Sequence, residues 1–284
     1  MDYFRLMDAQ LITGTTGNLG SFLLASVIKM ESVFKVVALV RAADESTALS
    51  RVLTSLSSRG LNLTEHEKEK LVALPSDFSR SDLGLSNENL EILLSSTTHV
   101  IHSAWAVNFN LGVRSFEEQH IRGVHNLLNL CLRVRFASPA KFFFCSSVSV
   151  AGGTPKPASI PERMIEDLTH AQNMGYGRSK LVCEHIVRNA MRSTGMTGQV
   201  LRIGQLAGDG VTGIWNETEA VPLMIRSAVS IGALPKLEEV SLKFKSMIQE
   251  DPARKSLTGP VGCVMAPCRY LCKHNSRIGV STKE

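Results

Sequence analysis

Tyr176 and Lys180 stand four residues apart in Tyr-Gly-Arg-Ser-Lys, near the start of a predicted helix, so they share one face. A phenol ordinarily titrates near about 10, and a neighbouring ammonium favours its anion and lowers that value. The pair therefore reads as a proton donor usable near neutral pH. One crossover earlier, the apolar run Lys141 to Cys145 is followed by Ser146 and Ser147. A hydroxyl there can hydrogen-bond the same substrate oxygen as negative charge builds on it. Ser103-Ala104-Trp105 follows another apolar run, His99 to His102, in the same way. Tyr-x-x-x-Lys alone is common. It gains weight from lying downstream of a serine-bearing strand end and of a glycine turn, against the plainer reading of a half-buried Tyr beside a surface Lys.

The glycine turn is Thr13-Gly14-Thr15-Thr16-Gly17-Asn18-Leu19-Gly20, a G-x-x-G-x-x-G pattern between an apolar strand and an amphipathic helix. Gly14 permits the tight exit from the strand, Gly17 lets backbone approach a pyrophosphate, and Gly20 lets the helix pack closely on the sheet. The helix N-terminus then presents free N–H groups and its positive dipole end to phosphates. In this context the turn predicts dinucleotide binding. After the second strand the chain reads Val40-Arg41-Ala42. An Asp or Glu there would accept from ribose hydroxyls, whereas arginine can only donate and clamps a 2′-phosphate. NADPH is therefore expected over NADH. Arg51, one helix in, can supply a second contact or stand as an exposed helical arginine. Asp77, just after the third strand, is placed to accept from the adenine amino group or to form a turn.

Those residues need a frame. Apolar runs at residues 10–13, 35–40, 71–74, 99–102, 141–145 and 199–203 predict strands, with helices over 18–30, 45–59, 87–95, 115–135 and 175–193 between them. Strands so separated describe a parallel sheet covered on both faces, a Rossmann-like doubly wound α/β fold. His120 and His125, on the long helix at a spacing that does not align them, read as structural. The sequence contains no G-x-S-x-G elbow, no H-E-x-x-H and no Walker lysine after the glycine turn.

Composition narrows the class. With 44% hydrophobic and 20% charged residues, 284 residues suffice for a well-buried core and are too apolar for a disordered chain. No window reaches the roughly 18 apolar residues of a membrane span, and Asp2, Arg5 and Asp8 interrupt the start, so a soluble cytoplasmic protein is expected. The net charge of +5 is local: eight basic and three acidic groups fall in 240–284, which leaves residues 1–239 balanced. Those tail charges are dispersed, so no nucleic-acid or membrane partner is expected. Cys131, Cys145 and Cys183 read as buried apolar groups. Cys263, Cys268, Cys272 and His274 lack paired C-x2-C knuckles, so no metal site is expected. The expected organisation is an NADP-binding domain over 8–203, the start of a small, incomplete C-terminal substrate lobe over 204–239 with a helix at 221–231, and an atypical basic, cysteine-containing tail over 240–284.

Taken together, TGTTGNLG, LVRA, VIHSAWAVNFN, FFFCSSVSV, YGRSK and RIGQLAGD resemble the extended short-chain dehydrogenase/reductase family. More narrowly, they resemble the thioester reductase domains of carboxylic acid reductases, aminoadipate reductase and fungal NRPS-like enzymes of secondary metabolism. IWNETEAVPLMIRSAVSIGALPKL has the look of the fungal members, and the resemblance covers about residues 9–239. It implies phosphate contacts from Gly14, Thr16, Asn18 and Leu19, a 2′-phosphate contact from Arg41, an adenine contact at Asp77, and Ser147, Tyr176 and Lys180 as the catalytic set. Ser147 aligns with the family's hydroxyl residue before Val, and Ser146 is the lesser candidate. Ser103 and Ala104 join the cofactor-binding set with Gly17, Gly20, Tyr176 and Lys180. The implied reaction reduces a carrier-bound acyl or aminoacyl thioester with NADPH through a hemithioacetal to an aldehyde and the carrier's phosphopantetheine thiol, Lys180 also holding the nicotinamide ribose. The implied partner is a phosphopantetheinyl carrier domain acting in trans. Past the LPKLEE region the family's pattern stops, as an altered reading frame or a retained intron would produce, which would leave the substrate pocket cut short. The competing readings are an extended-family oxidoreductase of a free carbonyl or alcohol, and a noncatalytic NADP-binding fragment.

Overall fold

The computed structural model describes residues 9–210 and 212–233. The basic tail, with Cys263, Cys268, Cys272 and His274, and the last residues of the expected lobe lie outside the described residues. Six strands form one sheet: β1 (Ala9–Thr13), β2 (Lys35–Val40), β3 (Leu71–Pro75), β4 (Thr97–His102), β5 (Lys141–Ser147) and β6 (Gly198–Ile203). Every pairing is parallel, in the order β3-β2-β1-β4-β5-β6. The strand order reverses between β1 and β4, and in such sheets ligands bind outside the carboxyl ends of the strands at that reversal.

Alternation along the strands explains the two-sided core. Leu11, Val37, Leu39, Val100, Phe142 and Phe144 pack into one cluster with Val124, Leu127 and Cys131 of α5 (Arg122–Arg133) and Cys183 and Val187 of α6 (Gly175–Thr194). The alternate residues Ile12, Val36, Ala38, Val40 and Ile101 are buried as well. Their register puts them on the opposite face. There α1 (Asn18–Ile28) and α2 (Glu45–Ser57) bring buried Leu23, Leu24, Ile28, Val52 and Leu56 to the strands. The doubly wound expectation holds. Asp44 caps α2 by accepting from the Thr47 N–H, and Ser86 caps α4 (Asn87–Ser96) at Asn89 in the same way.

Three stretches depart from the sequence reading. A short helix α3 (Glu65–Glu69) was not expected, because all its residues are polar and none is buried. Thr64 and Glu67 make a reciprocal capping box that starts it. The predicted helix over 115–135 is three pieces: a 3₁₀ turn (Val113–Phe116), a π-helical turn (Glu117–Ile121) and then α5. Apolar periodicity cannot separate these over single turns, and no Gly or Pro marks the widened one. Strand β5 extends through Ser146 and Ser147 instead of ending before them.

The chain divides after Gly204 into two compact units. The second, taken by itself, holds one described helix, α7 (Ala220–Ile231), closed by Gly232 in the left-handed conformation at φ 75°. Before that helix, Trp215 Nε1 donates to Glu219 at 3.0 Å and Asp209 accepts from the Thr212 N–H and hydroxyl. No described helix is long and apolar enough to cross a membrane.

Candidate active site

At the end of β1 the chain turns on glycines for reasons of space. Gly14 has φ +77°, and a Cβ there would lie 2.6 Å from Ser103 Oγ and 2.7 Å from the Ala104 nitrogen. A Cβ on Gly20 would lie 2.0 Å from the Gly14 carbonyl oxygen, so α1 can approach this close only as glycine. Gly17 is exposed, donates to the Gly14 carbonyl at 2.9 Å and leaves the first amides of α1 without a side-chain cap. Thr16, Asn18 and Leu19 stand half-buried around it, and the buried Thr15 hydroxyl has no partner among the described residues. A short-sided cradle facing an uncapped helix end fits a pyrophosphate.

The far side of the cradle is tied to β4. Ser103 Oγ donates to the Thr13 carbonyl at 2.8 Å, and the Ala104 N–H donates to Thr13 Oγ1 at 3.1 Å. At the other end, beside β2, the exposed Arg51 guanidinium donates to the Arg41 carbonyl. That bond holds two guanidinium-bearing residues together just past the end of β2. Asp77 Oδ1 accepts from Ser79 N–H at 3.0 Å, Ser79 Oγ at 2.6 Å and Gln119 Nε2 at 2.8 Å. These bonds, Ser79 foremost, hold its carboxyl below the usual range. The turn-forming role of Asp77 is thus present, fastened by Gln119 from the π-helical turn.

Beyond β5 the expected set comes together. The Ser147 side chain lies close enough to the Tyr176 phenol to draw its pKa down. Ser147 Oγ accepts from the Ser149 N–H at 3.2 Å. Phe109 meets the Tyr176 ring edge-on at 5.3 Å between centroids. The start of α6 is pressed against the chain before the 3₁₀ turn: a Cβ on Gly175 would lie 2.2 Å from the Leu111 carbonyl oxygen. That packing sets the height at which Tyr176 leaves the helix. Lys180 lies behind it, 2% exposed, its Nζ donating to the Cys145 carbonyl at 2.6 Å.

The electrostatics correct one expectation. The Tyr176 pKa is raised, because burial outweighs the opposing pull of Ser147, and Lys180 is not what governs it. Burial brings Lys180 itself down to about 7, against smaller upward pulls from Cys145, Cys183 and Glu184. The ammonium cannot acidify a phenol strongly when it is itself near half-ionised and 6.0 Å from the ring. Tyr176 is consequently protonated at neutral pH, as a proton donor must be.

The two serines separate cleanly. Ser146 Oγ donates to Glu184 Oε1 at 2.5 Å, and Glu184, 1% exposed, is gripped by Arg202 at 2.7 Å. Ser146 is therefore committed to a buried ion pair that joins β5, α6 and β6, while Ser147 meets Tyr176. Residue spacing could not show this beforehand, since Glu184 and Arg202 carry no motif.

Trp105, which the sequence places past β4 without giving it a role, and His120, read as structural, both come up against Lys180. The Lys180 Nζ lies 3.9 Å from the Trp105 ring centroid, and His120 stacks on the same indole at 4.8 Å and 29°. His120 Nε2 accepts from the Ala106 N–H at 3.3 Å, and its pKa falls to about 4 through burial and then through Lys180 and Arg41. His125 is exposed, beside Asn129. The only available signal was the position of Trp105 just past β4, where this architecture places its site. Among the described residues no group of His, Cys, Asp or Glu could hold a metal ion.

Comparison with known proteins finds relatives over most of the chain. The profile of the NAD-binding family described as Male sterility protein matches residues 12–251. An adenylate-forming reductase, Nps10, of Heterobasidion annosum is 37% identical over 232 residues, covering 81% of this chain and 21% of that protein. A carboxylic acid reductase of Neurospora crassa is 37% identical over 227 residues, covering 79% of this chain and 21% of that protein. The chain thus spans about a fifth of the length of these curated relatives. Among solved structures, the terminal R domain from the myxalamid PKS-NRPS biosynthetic pathway superposes with a TM-score of 0.74 at 27% identity, covering 82% of this chain and 57% of that one. The family match runs past residue 239, where the resemblance read from the sequence ended, into residues outside those described.

Proposed function

The chain belongs to the Male sterility protein family of NAD-binding domains, and from that premise we propose that it is an NADPH-dependent reductase of carrier-bound acyl or aminoacyl thioesters, yielding aldehydes. The observation that carries the proposal is the convergence of Ser147, at the end of β5, and Tyr176 with Lys180, buried behind them on the Cys145 carbonyl. A continuous path, Gly14 to Ser103 to Ala104 to Trp105 to Lys180, joins these residues to the glycine cradle. The relatives named above are an adenylate-forming reductase and a carboxylic acid reductase, which favours a thioester over a free alcohol as substrate.

The residues present fit NADPH. The amides opening α1, with Gly14, Thr16, Gly17, Asn18 and Leu19, would hold the pyrophosphate, and Gly20 keeps that helix close. Arg41, fastened to Arg51, would grip the 2′-phosphate; Asp77 would meet the adenine, Ser103 and Ala104 would line the path between, and Lys180 would reach the nicotinamide ribose. When bound, NADPH supplies a hydride to the thioester carbonyl carbon. Ser147 Oγ donates to the carbonyl oxygen and orients it, and Tyr176 Oη delivers its proton there as charge develops. Lys180, charged when that proton leaves, stabilises the phenolate left behind. The sulfur of the substrate would arrive on the phosphopantetheine of a carrier domain. The test is to incubate the protein with NADPH and a panel of acyl-pantetheine thioesters and free aldehydes and ketones. Reduced-nicotinamide absorbance should fall, with an aldehyde formed, only with thioesters; turnover confined to free carbonyls would overturn the substrate assignment.

A further inference from the structure

We propose that Trp105 is a positioning residue for the Lys180 ammonium: its indole face, braced by His120, holds that charge inside the fold at the point where Tyr176 and Ser147 meet. The inference rests on the reductase reading for its functional meaning, and on geometry for its existence. A buried ammonium needs acceptors for three N–H groups and a source of compensating charge. Lys180 is shown donating to one carbonyl, that of Cys145. Among the described residues no carboxylate forms an ion pair with it. Glu184, one turn further along α6, is bound to Arg202 and Ser146.

What surrounds the ammonium instead is aromatic. Trp105 is 3.9 Å away, Phe144 4.8 Å and Tyr176 6.0 Å, measured to ring centroids. Indole offers the most favourable face of the three for a cation. Its N–H has no hydrogen-bond partner among the described residues, so the ring is placed by its faces and not by its polar edge.

The neighbours of Lys180 make that face decisive. From β5 it faces the Cys145 thiol; from α6, Tyr176, Cys183 and Glu184; from β4, His102; and from the π-helical turn, His120. Cys183 is pushed up to about 12 by burial and stays a neutral thiol, and both histidines are held neutral, chiefly by burial and then by Lys180 itself. The one carboxylate among these groups, Glu184, is bound to Arg202. Because burial brings Lys180 close to 7, a contribution of modest size from the indole decides how much of it is charged in the physiological range. His120 fits the bracing part. It stacks on the indole, is fastened to the Ala106 N–H of the same loop, and must be neutral, since a second cation there would repel the first.

The chain has two tryptophans, so Trp215→Phe leaves Trp105 as the sole indole. In that full-length background, indole emission followed from pH 5.5 to 9 (roughly the span that brackets a lysine displaced by burial) should change sigmoidally with a midpoint near neutrality. Adding Lys180→Met should abolish the change. Emission that does not vary with pH, or the same curve surviving Lys180→Met, overturns the inference. A second arm uses turnover: Trp105→Leu should move the basic limb of the kcat/KM profile to lower pH by about 0.5–1.5 units, the size of a cation–π contact, while Trp105→Phe recovers part of that shift. A simple loss of packing would lower activity at every pH without moving the limb, and would also overturn it. If Lys180→Met abolishes the emission change but leaves turnover intact, the positioning stands and the catalytic reading of Lys180 fails. If Lys180→Met abolishes turnover but not the emission change, the reverse holds.

Discussion

Replacing Lys180 with methionine should stabilise the protein, and more so in acid than in base. The side chain is 2% exposed and its pKa falls from 10.5 to about 7 on burial. The folded state therefore binds fewer protons than the unfolded state between about pH 7 and 10.4, and stability rises with pH across that window. Below pH 7 both states are protonated and the folded protein carries the full cost of the buried charge. Three and a half units correspond to roughly 4–5 kcal/mol, from which the indole contact recovers about 0.5–2 kcal/mol. From pH 7 upward that cost is relieved at about 1.4 kcal/mol per unit, so roughly 2–3 kcal/mol disappears by pH 9. Methionine fills similar volume with no charge to bury. Thermal melts of both proteins at intervals from pH 6 to 9 provide the assay. With roughly 2–4 °C per kcal/mol for a chain of this size, the advantage of the variant in Tm should shrink by about 4–12 °C over that range. A Tm difference that stays constant between pH 6 and 9 would refute the reasoning, since it would mean that Lys180 has no displaced ionisation in the folded state.

Other substitutions probe separate parts of the site. Arg41→Ala should weaken NADPH binding about 10- to 100-fold, on the scale of charged hydrogen bonds, and leave NADH affinity nearly unchanged; fluorescence titration of both cofactors checks this, and equal losses would remove the 2′-phosphate assignment. Ser147→Ala should lower kcat by about 10²–10³. Ser146→Ala should instead cost roughly 1.5–3 kcal/mol of stability with turnover largely kept, because it unties a buried hydrogen bond to Glu184; steady-state kinetics paired with melts distinguish the two, and a reversed pattern would exchange their roles. Gly20→Ala should abolish cofactor binding, measured by the same titration, since its Cβ would sit 2.0 Å from the Gly14 carbonyl oxygen and the turn must open to admit it.

Much of this molecule could be read in advance because local and global signals agree. Strands such as Lys35–Val40 are apolar on both faces, and Gly14, Gly17 and Gly20 mark a turn where chain, helix and sheet crowd together. Tyr176 and Lys180 could be paired from helical spacing alone. The ionisation of that pair could not, because burial sets it and burial belongs to the assembled fold. The same holds for Trp105 and His120, fifteen residues apart by numbering and joined only when a π-helical turn brings the imidazole over the indole. Ser146 and Ser147 are chemically identical in sequence; they diverge because alternate residues of β5 face opposite ways, one towards Glu184 and the other towards Tyr176.

The most direct measurement is single-turnover reduction of an acyl-pantetheine thioester by the Tyr176→Phe protein saturated with NADPH. With the phenol hydroxyl as the proposed proton source, aldehyde formation should fall by at least about 10²-fold while the NADPH dissociation constant changes less than about threefold. Aldehyde appearing at the unsubstituted rate would contradict the account at its centre.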